Sequence, residues 1–313
     1  MRRAEARGQG RSSAPKSKWG AACKAAPLLI CAALFGQDSP YQISVDLNLV
    51  VLPVTVRDRN GGFAGDLSKD NFEVYEDGVK QSIRLFRHED IPVTVGIVVD
   101  HSGSMTAKIA DVVAAGEKFA ELSNPQDQMF VVNFNEHASL GLPPSVPFTH
   151  LAAVLRPAIE DGPATGQTAL YDALNLAIDR LQEGKPEKKV LVVFSDGGDN
   201  ASKATLRDVL QRAARSNAIV YTLGIFAKED PDQNTRVLKR LAKESGGEAF
   251  FPEQYDDAAG ICGAIAKDIR HQYTLGYIST GTKPGGHRNV KVVAHAAGKD
   301  LKVRTRTGYE AVP

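Results

Sequence analysis

Residues 91–105, IPVTVGIVVDHSGSM, carry an apolar strand straight into Asp100, Ser102 and Ser104. One carboxylate and two hydroxyls, at i, i+2 and i+4, stand where a buried strand ends. Oxygen-only donors of this kind suit a hard divalent cation such as Mg2+. The triplet alone is a weak signal, because a strand-to-helix turn with Ser104 as N-cap uses the same residue types. Two further oxygen-rich stretches strengthen it. Gly162-Pro-Ala-Thr-Gly-Gln-Thr168 precedes a helical pattern, and Ser195-Asp196-Gly197-Gly198-Asp199 follows the apolar run VLVVF. Taken singly, Thr168 could cap a helix and Asp196 could sit in a Gly-rich turn. In an open α/β sheet, however, ligands bind beyond the carboxyl ends of strands at a topological switch point, and all three stretches can converge there.

The elements that must position these residues alternate along residues 91–270. The apolar runs Val93–Val99, Met129–Phe134, Val190–Phe194 and Ala218–Ile225 suit strands covered on both faces. Between them lie helical patterns over Lys108–Leu122, Ala169–Leu181, Thr205–Ser216, Thr235–Glu244 and Tyr255–Arg270. Gly247–Phe251 reads as a last strand. Ala138–Phe148, with three prolines, reads as a short edge strand and loop. The fold class is therefore α/β: a doubly wound, mostly parallel, Rossmann-like six-stranded sheet flanked by helices.

Residues 39–90 and 271–313 read as β-structure instead. ISVDLNLVVLPVTVRD, NFEVYEDG and KQSIRLFRH alternate in polarity, with turns at Asn60-Gly61-Gly62 and Asp77-Gly78. HQYTLGYIST, HRNVKVVAHAA and DLKVRTRTGYE follow the α/β region. Each flank is too short for a core of its own, so the two are expected to pack together as a small β-sandwich.

Residues 1–38 read as a signal peptide. Seven Lys/Arg and two acids give this stretch a net +5, and an apolar run from Ala25 to Phe35 is too short for a relaxed membrane span. The expected location is thus exported, periplasmic or extracellular, against a disordered basic tail or an uncleaved anchor. With the whole chain at +1, the remaining residues carry about −4, which argues against a nucleic-acid partner. Cys262 is the one cysteine outside residues 1–38, so neither an internal disulfide nor a thiolate metal site is expected in the rest of the chain. It reads as a small buried apolar residue.

The strand with DHSGSM, the GQTALYDAL segment and VLVVFSDGGDN together resemble a von Willebrand factor A-type (VWA) domain with an intact metal-ion-dependent adhesion site. The resemblance covers residues 91–270. The flanking VRDxxG…NFEVYEDG and YTLGY segments are similar to those of secreted bacterial VWA proteins. The resemblance implies that Ser102 and Ser104 ligate the metal directly, and that Thr168 does so directly or through water. Asp100 and Asp196 would act mainly through water and balance the charge. Mg2+ is the implied metal, with Mn2+ or Ca2+ as alternatives, and a partner protein's acidic side chain would complete the coordination. It also implies that a shift of the last helix, Tyr255–Arg270, could transmit occupancy to the β segments.

Other chemistries find less support in the sequence. Gly162–Thr168 is one residue short of a phosphate-binding loop, and Gln167 stands where the lysine should be. There is no G-x-G-x-x-G after a strand, no G-x-S-x-G elbow and no H-x-x-x-H pair. His101 is the one candidate base, and it should point away from Ser102 if Asp100 and Ser102 face a metal. Asp172 reads as a helix-surface or loop-bracing residue and Asp199 as a group supporting the site from behind. The expected function is a metal-dependent binding or adhesion module, not an enzyme. A metal-dependent hydrolase and a structural envelope protein with a stabilising metal stand as alternatives.

Overall fold

The structure is a computed structural model. It describes residues 49–311 except 89, 227–232, 255–256, 282–284 and 299. The expected signal peptide, residues 39–48 and the first two residues of the last predicted helix lie outside the described residues.

Runs of β-branched and aromatic residues build the central sheet. Its strands are β5 (Val93–Asp100), β6 (Gln128–Phe134), β7 (Ala138–Leu140), β8 (Lys188–Ser195), β9 (Ala218–Gly224) and β10 (Ala249–Phe250). The order is β10-β9-β8-β5-β6-β7, parallel except for the β6–β7 edge pair. Every residue of β5 is buried, as a central parallel strand requires. Gly96 sits at its middle because a Cβ there would lie 2.6 Å from both Leu191 Cδ2 and Phe130 Cζ. Side chains from β8 and β6 therefore close over β5.

Helices cover both faces. α1 (Ile109–Glu121) packs against α2 (Ala152–Glu160) and α6 (Asp257–Arg270). α3 (Leu170–Glu183) packs against α4 (Leu206–Arg215), which packs against α5 (Thr235–Ser245). α3 shows why it is a helix: Leu170, Ala173, Leu174, Ala177, Ile178 and Leu181 form one buried stripe at helical spacing. α4 starts on a reciprocal cap, with Thr205 N donating to Asp208 Oδ2 at 2.9 Å and Asp208 N to Thr205 Oγ1 at 3.3 Å. The sequence reading did not include α2. Pro157 stands inside it and three prolines precede it, so its helical pattern is masked locally; buried Leu155, Ala158 and Ile159 hold it in place.

The flanks form two antiparallel four-stranded sheets. Their strands are β1 (Leu49–Arg57), β2 (Phe72–Glu76), β3 (Val79–Gln81), β4 (Ile83–Arg87), β11 (Tyr273–Ile278), β12 (Gly286–Ala294), β13 (Lys302–Arg304) and β14 (Gly308–Ala311). The orders are β13-β1-β11-β4 and β14-β12-β2-β3. Strands from the two flanks alternate in the first sheet and meet at the β12–β2 pair in the second, so neither flank could make either sheet alone. Leu52, Val54, Val74, Tyr273, Leu275 and Val292 belong to the core between them.

DLKVRTRTGYE, expected as one strand, is split between the two sheets as β13 and β14. The cause is two arginines that turn toward the α/β region. Arg304 pairs with Asp268 on α6, and Arg306 Nη1 donates to Ala214 O at 3.3 Å and to Asn217 Oδ1 at 3.0 Å. Asp268 is the centre of this junction. Its carboxylate accepts from Tyr221 of β9, Thr55 and Arg57 of β1, and Arg304 of β13. No helix among the described residues is long and apolar enough to cross a membrane.

Candidate functional site

The chain enters the central sheet at β5, goes to β6 on one side, and returns to β8 on the other. The switch point therefore falls between the carboxyl ends of β5 and β8. Asp100 ends β5 and Ser195 ends β8, with Asp196 immediately after.

Four of the five residues singled out from the sequence join one chain of contacts there. The Ser102 backbone N–H donates to Asp100 Oδ1 at 2.8 Å. Ser102 Oγ lies 3.2 Å from Ser104 Oγ, and Ser104 Oγ donates to Asp196 Oδ2 at 2.5 Å. Asp196 Oδ1 accepts from Gly198 N at 3.0 Å, fixing its orientation. The i, i+2, i+4 spacing works because residues 102–105 leave the strand in a tight turn, with Met105 N bonded to Ser102 O at 3.0 Å.

Thr168 arrives on a third loop. Gly103 N donates to Gly166 O at 3.4 Å, which lays the loop alongside the two serines. Thr168 N donates to Asn200 Oδ1 at 2.8 Å, and Asn200 N returns a bond to Thr168 O at 2.9 Å. No described side chain hydrogen-bonds the Thr168 hydroxyl. Gly166 has φ +86°, a backbone conformation that favours glycine, and a Cβ there would displace the exposed Glu136 carboxylate, whose Oε2 would lie 1.7 Å away.

Ser195 belongs to the site although sequence reasoning gave it no role. Its Oγ donates to Asp100 Oδ2 at 2.7 Å and accepts from Gly197 N at 3.0 Å. A serine at a strand end carries no spacing signal of its own. The register that puts Phe194 beside Val99 in the β5–β8 ladder is what brings it to Asp100.

Asp172 and Asp199 both brace the loops; among the described residues Asp199 makes no hydrogen bond to the five residues singled out. Asp172 accepts from Lys203 N at 3.0 Å and Ala204 N at 2.9 Å. Asp199 accepts from Tyr171 N at 2.9 Å and Ser202 Oγ at 2.6 Å. His101 points away from Ser102: its Nε2 meets Ile159 O at 2.9 Å. Burial pushes its imidazolium pKa down.

Electrostatically the site is two buried carboxylates facing hydroxyls. Burial, and then the charge on Asp196, push the Asp100 carboxyl up to about 6, against the opposing pull of hydrogen bonds from Ser102 and Ser195. A divalent cation held by this oxygen set would offset that repulsion. Among the described residues no group of three His, Cys, Asp or Glu could hold a metal, so a cation here would depend on the hydroxyls as well as on Asp100 and Asp196. The set fits a hard cation and does not fit a soft one.

The sheet is open and mostly parallel, with an oxygen cluster at its switch point, where α/β folds place their ligand sites. A family model described as von Willebrand factor type A domain matches residues 94–262, more than half the chain, and the chain belongs to that family. VWA domains typically bind divalent cations and proteins. The solved structure "von Willebrand factor type A from Catenulispora acidiphila" superposes with a TM-score of 0.52 at 15% identity, covering 83% of this chain and 73% of that one. The crystal structure of conserved hypothetical protein BatB from Bacteroides thetaiotaomicron has a TM-score of 0.47 at 16% identity, covering 56% of this chain and 98% of that one. "Uncharacterized protein sll0103" of Synechocystis sp. is 26% identical over 174 residues. The match spans 39% of that relative's length and 54% of this chain.

Proposed function

We propose that this chain is an exported, metal-dependent protein-binding module that engages an acidic side chain of its partner at the β5–β8 switch point. The observation that supports it is the contact chain Asp100–Ser102–Ser104–Asp196, with Ser195 behind it and the Thr168 loop alongside. The hydroxyls of Ser102, Ser104 and Thr168 would hold the cation, and Asp100 and Asp196 would balance its charge. When bound, Mg2+ supplies a hard electrophilic centre with a position for an external carboxylate, because the nearest donors are largely neutral. His101, the one histidine adjacent to these ligands in sequence, directs Nε2 at Ile159 O. That orientation favours binding over hydrolysis, which needs a base aimed at water. The export part of the reading rests on residues 1–38 and the uneven charge of the chain.

The test is affinity capture of envelope and secreted proteins by the chain in Mg2+ and in EDTA. A partner retained in Mg2+, released by EDTA, and lost with Asp100→Ala or Ser102→Ala is the expected result. Capture that survives EDTA and both substitutions overturns the proposal.

A further inference from the structure

Lys108 places an ammonium in the interior of the α/β region: the residue is 2% exposed. It stands at the N-cap of α1, where Ser, Thr, Asp or Asn would ordinarily accept from the first helical N–H groups, and its side chain caps nothing there. An apolar residue of similar length would fill the same space without desolvating a charge. Nζ instead crosses to the carboxyl end of β9 and donates to Ile225 O at 2.9 Å.

The bonds on either side of that contact close a circuit around the switch point. Lys108 N donates to Met105 O at 2.8 Å, and Met105 N to Ser102 O at 3.0 Å. Ser102 N donates to Asp100 Oδ1 at 2.8 Å. From the other end, Ile225 N donates to Ser195 O at 3.3 Å, and Ser195 Oγ to Asp100 Oδ2 at 2.7 Å. The circuit thus runs from Asp100 through the turn of Ser102 and Ser104, across Lys108 to the end of β9, and back through the end of β8.

The other side-chain ties from this turn to the β8 side, among the described residues, run through Asp100 and from Ser104 Oγ to Asp196. A bound cation would itself engage those groups, whereas the Lys108 tie is independent of it. On its outer side the turn is held differently. Thr106 Oγ1 lies 2.9 Å from Gly103 O and from Ala164 O on the Thr168 loop, but Thr106 is exposed and water can take its place.

We infer that Lys108 is a positioning residue for the cation site: its buried Nζ–Ile225 bond holds the Ser102–Ser104 turn against the ends of β8 and β9, so that both hydroxyls and Asp196 can share one ion. This rests on the metal-dependent function proposed above. Any direct Coulomb effect of the ammonium has the opposite sign, because it repels a divalent cation. Loss of the charge alone would tighten Mg2+ binding; loss of the strut weakens it.

The test compares the native chain with Lys108→Met, Lys108→Arg and Val113→Ala. Methionine keeps the apolar stem and removes the donor, and arginine keeps a donor. Val113 is buried on the same helix and lies outside the circuit. Mg2+ affinity is read by calorimetric titration, stability by urea unfolding in EDTA, and the circuit by hydrogen exchange of the Met105 and Ile225 amides in EDTA. Lys108→Met is expected to weaken Mg2+ about 10- to 100-fold and to speed exchange at both amides, with Lys108→Arg closer to the native chain in both. Val113→Ala is expected to lose urea stability and keep native Mg2+ affinity. Native or tighter Mg2+ binding in Lys108→Met overturns the inference and leaves the metal-dependent function standing. So does equal weakening in Lys108→Met and Val113→Ala, which marks an effect of general stability. In either Lys108 variant, faster exchange at both amides with native Mg2+ affinity also overturns it, so the arginine chain decides if the methionine chain does not fold. A native chain that binds no Mg2+ overturns both readings.

Discussion

Ser195 Oγ and Asp100 Oδ2 are 2.7 Å apart, joining the last residue of β8 to the last residue of β5 across the switch-point crevice. Ser195→Ala removes a side-chain donor to that buried oxygen. The expected cost is about 1–3 kcal/mol of stability. Because metal ligands depend on the groups that orient them, Mg2+ affinity should fall roughly 10- to 100-fold. Calorimetric titration and urea unfolding measure both, and Mg2+ affinity unchanged in the variant would remove Ser195 from the site.

Mg2+ should raise the melting temperature. At 100 times its dissociation constant a ligand stabilises by about 2.7 kcal/mol. In a domain of this size that is roughly 5 °C or more. EDTA should reverse the rise, and Ser102→Ala should abolish it. A melting temperature indifferent to Mg2+ in the native chain would count against a cation at these oxygens.

Asp268 carries the junction between the antiparallel sheets and the α/β region. Asp268→Ala leaves Arg57 and Arg304 without their buried counter-ion, with Glu248 3.6 Å from each as the remaining acid. Breaking a buried pair from one side costs about 3–5 kcal/mol, and the lower end applies because Arg57 is 31% exposed. Urea denaturation followed by fluorescence and by circular dichroism measures the loss; a change under 1 kcal/mol would mean the network is slack.

His88 stacks on Tyr273 with ring centroids 4.1 Å apart. Burial, and then the charge of His271, lower its pKa below the usual 6.5. The unfolded chain therefore takes up this proton at higher pH than the folded one. The group's contribution to stability is complete above about pH 6.5 and is lost as pH falls below it. His88→Phe keeps the stack and removes the proton, so its stability should decline less between pH 7 and pH 5. Parallel pH profiles for the two proteins would refute this.

The site was legible where its signal is local. Asp100, Ser102 and Ser104 sit at the end of a strand whose apolar run is unbroken, and Thr168 and Asp196 stand in loops whose neighbours mark them. Ser195 was not legible, because its role comes from the β5–β8 register. Asn200 escaped for the same reason: its bonds to Thr168 join loops 32 residues apart. The α/β alternation was plain from the apolar runs, whereas α2 was hidden by Pro157. The flanks were foreseen as packing together into a small β-sandwich, but not which strands pair in its two sheets. Their pairing depends on partners separated by the whole α/β region, and the break after Arg304 depends on Asp268, which no local pattern reveals.

The interleaving of β1 with β11 and of β2 with β12 also sets an order of events during synthesis. The early strands emerge from the ribosome long before the strands that will pair with them, while β5–β10 and their helices can complete one another first. Until the last forty residues arrive, β1 and β2 present open edges of the kind that recruit stray strands. A chain lacking β11–β14 would lose one strand from every pair that joins the two flanks.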